Sequence, residues 1–356
     1  MPAPVTGELI GIQYLRGLAA MMVVLFHVPV QLRYMGLQAA WFPGLLSGVD
    51  IFFVISGFIM WITTCHRPNM TPAEFWWRRL TRIAPLYWVI TIFVAIIMLL
   101  IPTAPQSSRF DLHHVIASLL FIAASHPVSH NIEPVVIPGW TLNYEMFFYL
   151  IFGLSLWASP RWRFVGTVGT LLILTIIGMV ADFPARSVAS FYTSSVMLEF
   201  AMGMAAGIFV SRAGNPGDIA LSVGWVLAAA GLSAAILAPH MNDVSGLATR
   251  GIPSMALVMG VLIIEAHRRI PHIPLLHELG NASYAIYLSH AITLSASGQL
   301  WRRLGLHTLP HTAWLYGLIA MIASAAIGWI IHRLVERPLI DRFRSPAPRP
   351  AVTAAD

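Results

Sequence analysis

The sequence predicts an all-α integral membrane protein with about ten transmembrane helices and both termini cytoplasmic. Three observations carry that expectation. Of 356 residues, 57% are hydrophobic and only 10% charged, where soluble domains carry about 25% charged residues; mean hydropathy is +0.74. Ten apolar segments recur along the chain with short connections. Arginines collect in alternate connections, as the positive-inside bias requires.

Taken in order, the segments are 10–30, 47–64, 84–101, 140–158, 164–181, 191–211, 219–237, 250–266, 281–299 and 312–332. The first has no basic stretch before it and no small-residue cleavage site, so it reads as an uncleaved anchor. An eleventh candidate, "HHVIASLLFIAA" at 113–124, has 12 residues. At about 1.5 Å per residue it covers only about 18 Å of a core about 30 Å thick. If it does not cross, 15 arginines fall inside and 6 outside; if it does, the balance becomes 9 against 12. The first arrangement is expected. Residues 102–139 then form one long external loop with a short non-crossing helix. Residues 1–342 read as one membrane domain and 343–356 as a disordered Pro/Ala-rich cytoplasmic tail.

Composition excludes several chemistries. All 21 basic residues are Arg, so no lysine nucleophile or Schiff base exists. The lone Cys65 forms no internal disulfide, and no Cys-rich metal site can be built. No metal site is expected. The sequence pI of about 9.9 reflects cytoplasmic arginines rather than a nucleic-acid partner.

Ionisable residues inside apolar segments lean functional. The stretch "YLRGLAAMMVVLFHV" places Arg16 and His27 eleven residues apart. Eleven helical steps sum to about 1100°, about 20° past three turns, so both side chains share one stripe, about 16 Å apart along the axis. Snorkelling of Arg16 and a satisfied buried His27 are the bland alternatives. In "SGVDIFFVISGF", Asp50 enters at the expected level of His27 and could orient it; a helix-capping Asp is the alternative. Ser56 and Gly57 read as packing residues. In "FWWRRLTR", Arg78, Arg79 and Arg82 cluster; they serve either as a topology signal or as a phosphate clamp. In "PGWTLNYEMFFYL", Glu145 is expected about a turn inside the external face, near His27, with Trp140 and Asn143 beside it. A structural Glu–Arg or Glu–His pair is the alternative. In "NASYAIYLSH", Tyr284, Tyr287 and His290 recur on one face. Glu336 and Arg337 are expected to make local ion pairs.

These segments together resemble the acyltransferase-3 family: "YLRGLAAMMVVLFHV", "VDIFFVISGF", "RRLTR", "PGWTLNYEMFFY", "SYAIYLSH" and "VERP" occur in order from residue 14 to residue 338. The wording of the fourth is similar to the exopolysaccharide O-acetyltransferase branch. The resemblance implies an inner-membrane, multi-pass enzyme with ten spans. It would move an acyl group, usually acetyl, from cytoplasmic acyl-CoA to a hydroxyl of a glycan or lipid-linked sugar, alongside other polysaccharide-synthesis proteins. Arg16 and His27 match the family's Arg–His pair, and Arg79 and Arg82 its Arg-x-x-Arg.

On that basis Arg79, Arg82, Arg78 and Arg16 are expected to hold acyl-CoA, the co-substrate, with no bound cofactor. His27 is expected as general base or transient acyl carrier, helped by Asp50 and Glu145. Asn143, Trp140, Tyr287 and His290 are expected to line the substrate path. Rival readings are the same chemistry on a lipid or small secreted metabolite, a proton-coupled secondary transporter, and a non-enzymatic scaffold or sensor.

Overall fold

The computed structural model describes residues 8–38, 42–65, 67, 69–101, 109–213, 216–239 and 243–343. The expected tail beyond Phe343 lies outside them. Among the described residues there is no β-strand, only an isolated bridge between Ser125 and Ile132. The helices are α1 (Ile10–Tyr34), α2 (Ser47–Cys65), α3 (Pro72–Leu100), α4 (Leu112–Leu119), α5 (Trp140–Leu154), α6 (Pro160–Val180), α7 (Val188–Tyr192), α8 (Leu198–Ile208), α9 (Leu221–Leu237), α10 (Asp243–Gly246), α11 (Ile252–Ala266), α12 (Pro274–Arg303), α13 (Thr312–Ile331) and α14 (Arg337–Phe343).

Local chemistry sets several boundaries. Thr71 caps α3 by accepting from the Glu74 N–H at 3.2 Å, and Pro72 follows at the first turn, where a missing N–H costs nothing. Asp111 caps α4 through the His114 N–H at 2.6 Å. Helix α4 has 8 residues, about 12 Å, too short to cross. It packs on α3 in a small cluster of Ala95, Met98 and Val115 that Val135 of the following loop completes.

Each of the ten expected segments contains a helix. Seven stretches among the described residues are both long and apolar enough to cross: Ile10–Tyr34, Pro43–Cys65, Pro72–Leu100, Pro160–Val180, Val188–Ser211, Leu247–Ala266 and Thr312–Phe343. The other three depart for physical reasons. Helix α5 has 15 residues and α9 has 17. Helix α12 has 30 but low mean apolarity, because its buried face carries small and polar residues, among them Gly280, Ser283, Ser289 and His290, packed against neighbouring helices rather than lipid. Side chains that face outward, such as Ile173, Leu318 and Ile322, are large, apolar and exposed, as hydrocarbon contact requires.

Packing without a hydrophobic drive between helices depends on close approach. Helix α1 lies against α12 and α2, α2 against α8, α9 against α11, and α12 against α13. At the α2–α8 crossing, a Cβ on Gly57 would collide with the Phe200 carbonyl, and one on Gly203 with the Val54 carbonyl. The aromatic core between these helices includes Trp61, Tyr87, Phe148, Phe152 and Phe200.

The start of α5 decides where the site forms. The Tyr287 hydroxyl donates to the Pro138 carbonyl at 3.0 Å and accepts from Thr141 at 3.0 Å. Tyr287 stands near the midpoint of α12. The start of α5 is therefore held against the middle of α12.

Candidate active site

Three arginines converge on one cavity of about 240 Å³. Arg16 comes from α1, and Arg79 and Arg82 from one face of α3, three residues apart as the helix repeat demands. The cavity wall continues through Ser56, Glu145, Tyr149 and Tyr284 to Tyr287 and Thr141 at its inner end. Arg82 is anchored: it pairs with buried Glu336 and lies 5.8 Å from the Tyr284 ring centroid. Glu336 also binds His332 Nδ1 at 2.8 Å. Arg79 lies 5.8 Å from the Phe75 ring centroid, and its buried Nε has no hydrogen-bond partner. Three guanidinium groups against Glu145 and Glu336 leave the wall net positive. That suits an anion, since guanidinium groups bind phosphates through paired N–H donors.

Glu145 accepts from Ser56 Oγ at 2.8 Å and from the Tyr149 hydroxyl, within electrostatic reach of Arg16 and Arg79. The expected placement beside His27 is thus corrected. Because the start of α5 is held against the middle of α12, Glu145 lines the cavity with the arginines, whereas His27 does not. Ser56, read from sequence as a packing residue, is its hydrogen-bond donor.

His27 stands at the other end of the stripe. Its Nδ1 lies 2.8 Å from the Val23 carbonyl, and its ring centroid is 5.0 Å from that of His290. His290 is fully buried, with Nδ1 2.5 Å from the Tyr287 carbonyl and Nε2 without a partner. The His290 and Tyr287 ring centroids are 5.9 Å apart. A continuous series therefore runs from the arginine cavity through Tyr287 and His290 to His27. A carbonyl can only accept, so each Nδ1 carries the proton and each neutral ring presents Nε2 as a base.

Asp50 does not orient His27. It faces away from α1, 3.4 Å from Arg250 and hydrogen-bonded to Glu199; both partners are buried or nearly so. The helical repeat turns Asp50 toward α8 and α11, while Gly48 faces α1. Arg78 is also corrected: it pairs with Glu74 at 2.7 Å on an exposed face and does not line the cavity. Asn143 is buried, with neither polar side-chain atom hydrogen-bonded, and lines no cavity described. Trp140 lines a second cavity. Arg337 pairs with Asp341 at 3.9 Å and Glu336 with His332 at 2.8 Å, each a local pair four residues apart as expected.

Sequence reasoning missed Glu199, Arg250, Tyr149 and the Arg82 partner Glu336. Glu199 had a signal, a lone acid inside the apolar run "SSVMLEFAMGM". Tyr149 is four residues after Glu145 on the same face.

A family model described as "Acyltransferase domain" (Acyl_transf_3) matches residues 9–333. The chain belongs to the acyltransferase-3 family. This acyltransferase is 38% identical over 299 residues to the exopolysaccharide production protein ExoZ of Rhizobium meliloti (strain 1021), a match covering 84% of this chain and 90% of that one. It is 27% identical over 341 residues to the putative membrane-bound transacylase BcsY of Komagataeibacter xylinus, covering 92% and 82%. A third relative, the O-acetyltransferase OatA of Staphylococcus aureus (strain NCTC 8325 / PS 47), is 28% identical over 183 residues, 48% of this chain and 28% of that one. No solved structure matches. The acyltransferase is thus a multi-pass membrane enzyme whose relatives act in exopolysaccharide production and O-acetylation.

Proposed function

We propose that this acyltransferase moves an acyl group, in most turnovers acetyl, from cytoplasmic acyl-CoA to a hydroxyl of an exported or cell-surface glycan. The observation that carries the reading is the convergence of Arg16, Arg79 and Arg82 on one cavity whose inner end leads, through Tyr287 and His290, to His27.

In this reading the CoA phosphates rest on Arg79 and Arg82, with Arg16 deeper along the wall. The thioester arm passes Tyr287 and brings the acyl carbon to the histidine pair. His27 Nε2 takes the proton of the acceptor hydroxyl. The hydroxyl oxygen attacks the thioester carbonyl, the carbon–sulfur bond breaks, and the proton passes to the departing CoA thiolate. The products are an O-acyl sugar and CoA thiol. General base help of this kind is typically worth about 10²–10⁴ in rate. Glu145, held by Ser56 and Tyr149, balances the arginine charge rather than handling the proton.

The reading includes ten crossings, with both termini and the arginine cavity on the cytoplasmic side of the inner membrane. Helices α9 and α12 cross within the bundle, and α5 crosses together with the segments that flank it. The experiment that tests the function is mass spectrometry of surface and exported glycans from cells with and without this chain. Loss of O-acyl groups is expected. An identical acylation pattern would refute the reading.

A further inference from the structure

A second cavity, of about 1000 Å³, is lined from the start of α5, the end of α6, the segment 182–199 and the turn before α11. That is the upper end of the range for small-molecule sites. Trp140, Glu199 and Arg250 line it, with Glu133, Asp182 and Arg186 toward its rim. Glu199 is 1% exposed, and its Oε2 has no hydrogen-bond partner. An unpartnered carboxyl oxygen at that burial is costly unless a ligand supplies a donor. Arg250 is already engaged by Asp50 at 3.4 Å. Glu199 shares a proton with Asp50, and the rim carries two carboxylates, Glu133 and Asp182, beside one guanidinium, Arg186. Trp140 adds an aromatic surface, its ring near-perpendicular to those of Tyr144 and Phe53 at centroid separations of 5.8 and 6.5 Å.

We infer that this cavity binds neutral sugar residues of the acceptor glycan. A sugar ring offers an apolar face to Trp140 and a hydroxyl donor to the free Glu199 oxygen. The surplus of carboxylates disfavours acidic sugars. The cavity is coupled to the donor side by adjacent residues. Trp140 borders it, and Thr141 borders the arginine cavity and bonds Tyr287, whose ring neighbours His290. The inference rests on the reading of the chain as acylating a sugar hydroxyl.

The test is equilibrium binding to the purified full-length protein, with cellotetraose and maltotetraose as neutral probes, trigalacturonate as an acidic probe, and CoA as the donor-site probe. At least one neutral probe is expected to bind at millimolar concentration, and more tightly than trigalacturonate. Trp140→Ala and Glu199→Gln should each weaken it about tenfold or more, a loss of about 1.4 kcal/mol or more. Ser245→Trp fills the cavity from an exposed edge without touching the buried cluster, and should weaken it likewise. CoA binding should stay within about twofold in all three, which shows that each variant is folded. Neutral-probe binding absent from the wild type, unchanged in Ser245→Trp, or weaker than trigalacturonate binding would overturn the inference. Failure of CoA alone to bind would instead count against the donor assignment and leave the sugar site standing.

Discussion

His27 on α1 and His290 on α12 face each other with ring centroids 5.0 Å apart. Each ring is fixed by a carbonyl on its own helix, Val23 for one and Tyr287 for the other. The carbonyls set both tautomers alike and leave both Nε2 atoms basic. The Val23 carbonyl, rather than a carboxylate, therefore fixes the His27 ring, and His290 packs against it. His290→Gln should lower kcat by about tenfold or more with little change in KM for acyl-CoA, the signature of an effect confined to the transition state. Steady-state kinetics that show an unchanged kcat would remove His290 from the positioning role.

Arg79 and Arg82 bear on donor binding. Replacing both by Ala removes charge-assisted bonds worth about 1.5–3 kcal/mol each, a loss shared by ground and transition states. It should appear mainly as a raised KM for acyl-CoA. The double Lys variant should recover only part of the affinity, because it keeps charge but loses the bidentate fork. Acyl-CoA titrations with unchanged KM in both variants would contradict the phosphate clamp. Arg78→Ala, which removes an exposed pair with Glu74, should leave KM within about twofold.

Topology follows from the arginine count. In a Cys65→Ala background, Ser125→Cys and Ser159→Cys both place the thiol at an exposed position. The first should react with an impermeant maleimide from outside intact cells, and the second only after permeabilisation. The reverse pattern would mean that the segment around α4 crosses after all.

The loop carrying α4 should be acid-sensitive. His114 and His126 lie with ring centroids 5.3 Å apart. Burial, and then the neighbouring His126, hold the His114 imidazole below its ordinary value; burial also lowers His126. The unfolded chain therefore binds more protons than the folded one as pH falls below about 6.5. Stability of this loop is full above that pH and is lost as pH falls toward the lowered folded values. Hydrogen exchange across 112–136 should be faster at pH 5.5 than at pH 7.5, and His114→Gln should flatten the difference. Equal protection at both pH values would contradict this.

Much of the fold was legible because membrane helices announce themselves by composition. Each expected apolar segment contains a helix, and the helix overlapping "HHVIASLLFIAA" has 8 residues. The Arg16–His27 stripe and the Arg79–Arg82 face followed from helical periodicity alone. Depth and facing did not. Nothing in "PGWTLNYEMFFYL" reveals that Tyr287, far along the chain, holds Pro138 against the middle of α12, so Glu145 was placed too near His27. Asp50 was paired by expected level, but α2 rotates it toward Glu199 and Arg250, residues 149 and 200 positions away. Short-range pattern gives which residues share a face; long-range contact decides what that face meets.

The most direct measurement of the central claim is transfer in proteoliposomes supplied with acetyl-CoA and a neutral tetrasaccharide, following free CoA thiol and acetylated sugar together. In the wild type both products should rise in equal amounts and only when the acceptor is present. His27→Ala, inserted at the same level, should lose about 10²–10⁴ of that rate. Near-normal transfer by His27→Ala, or acetylated sugar formed without acetyl-CoA, would contradict the mechanism.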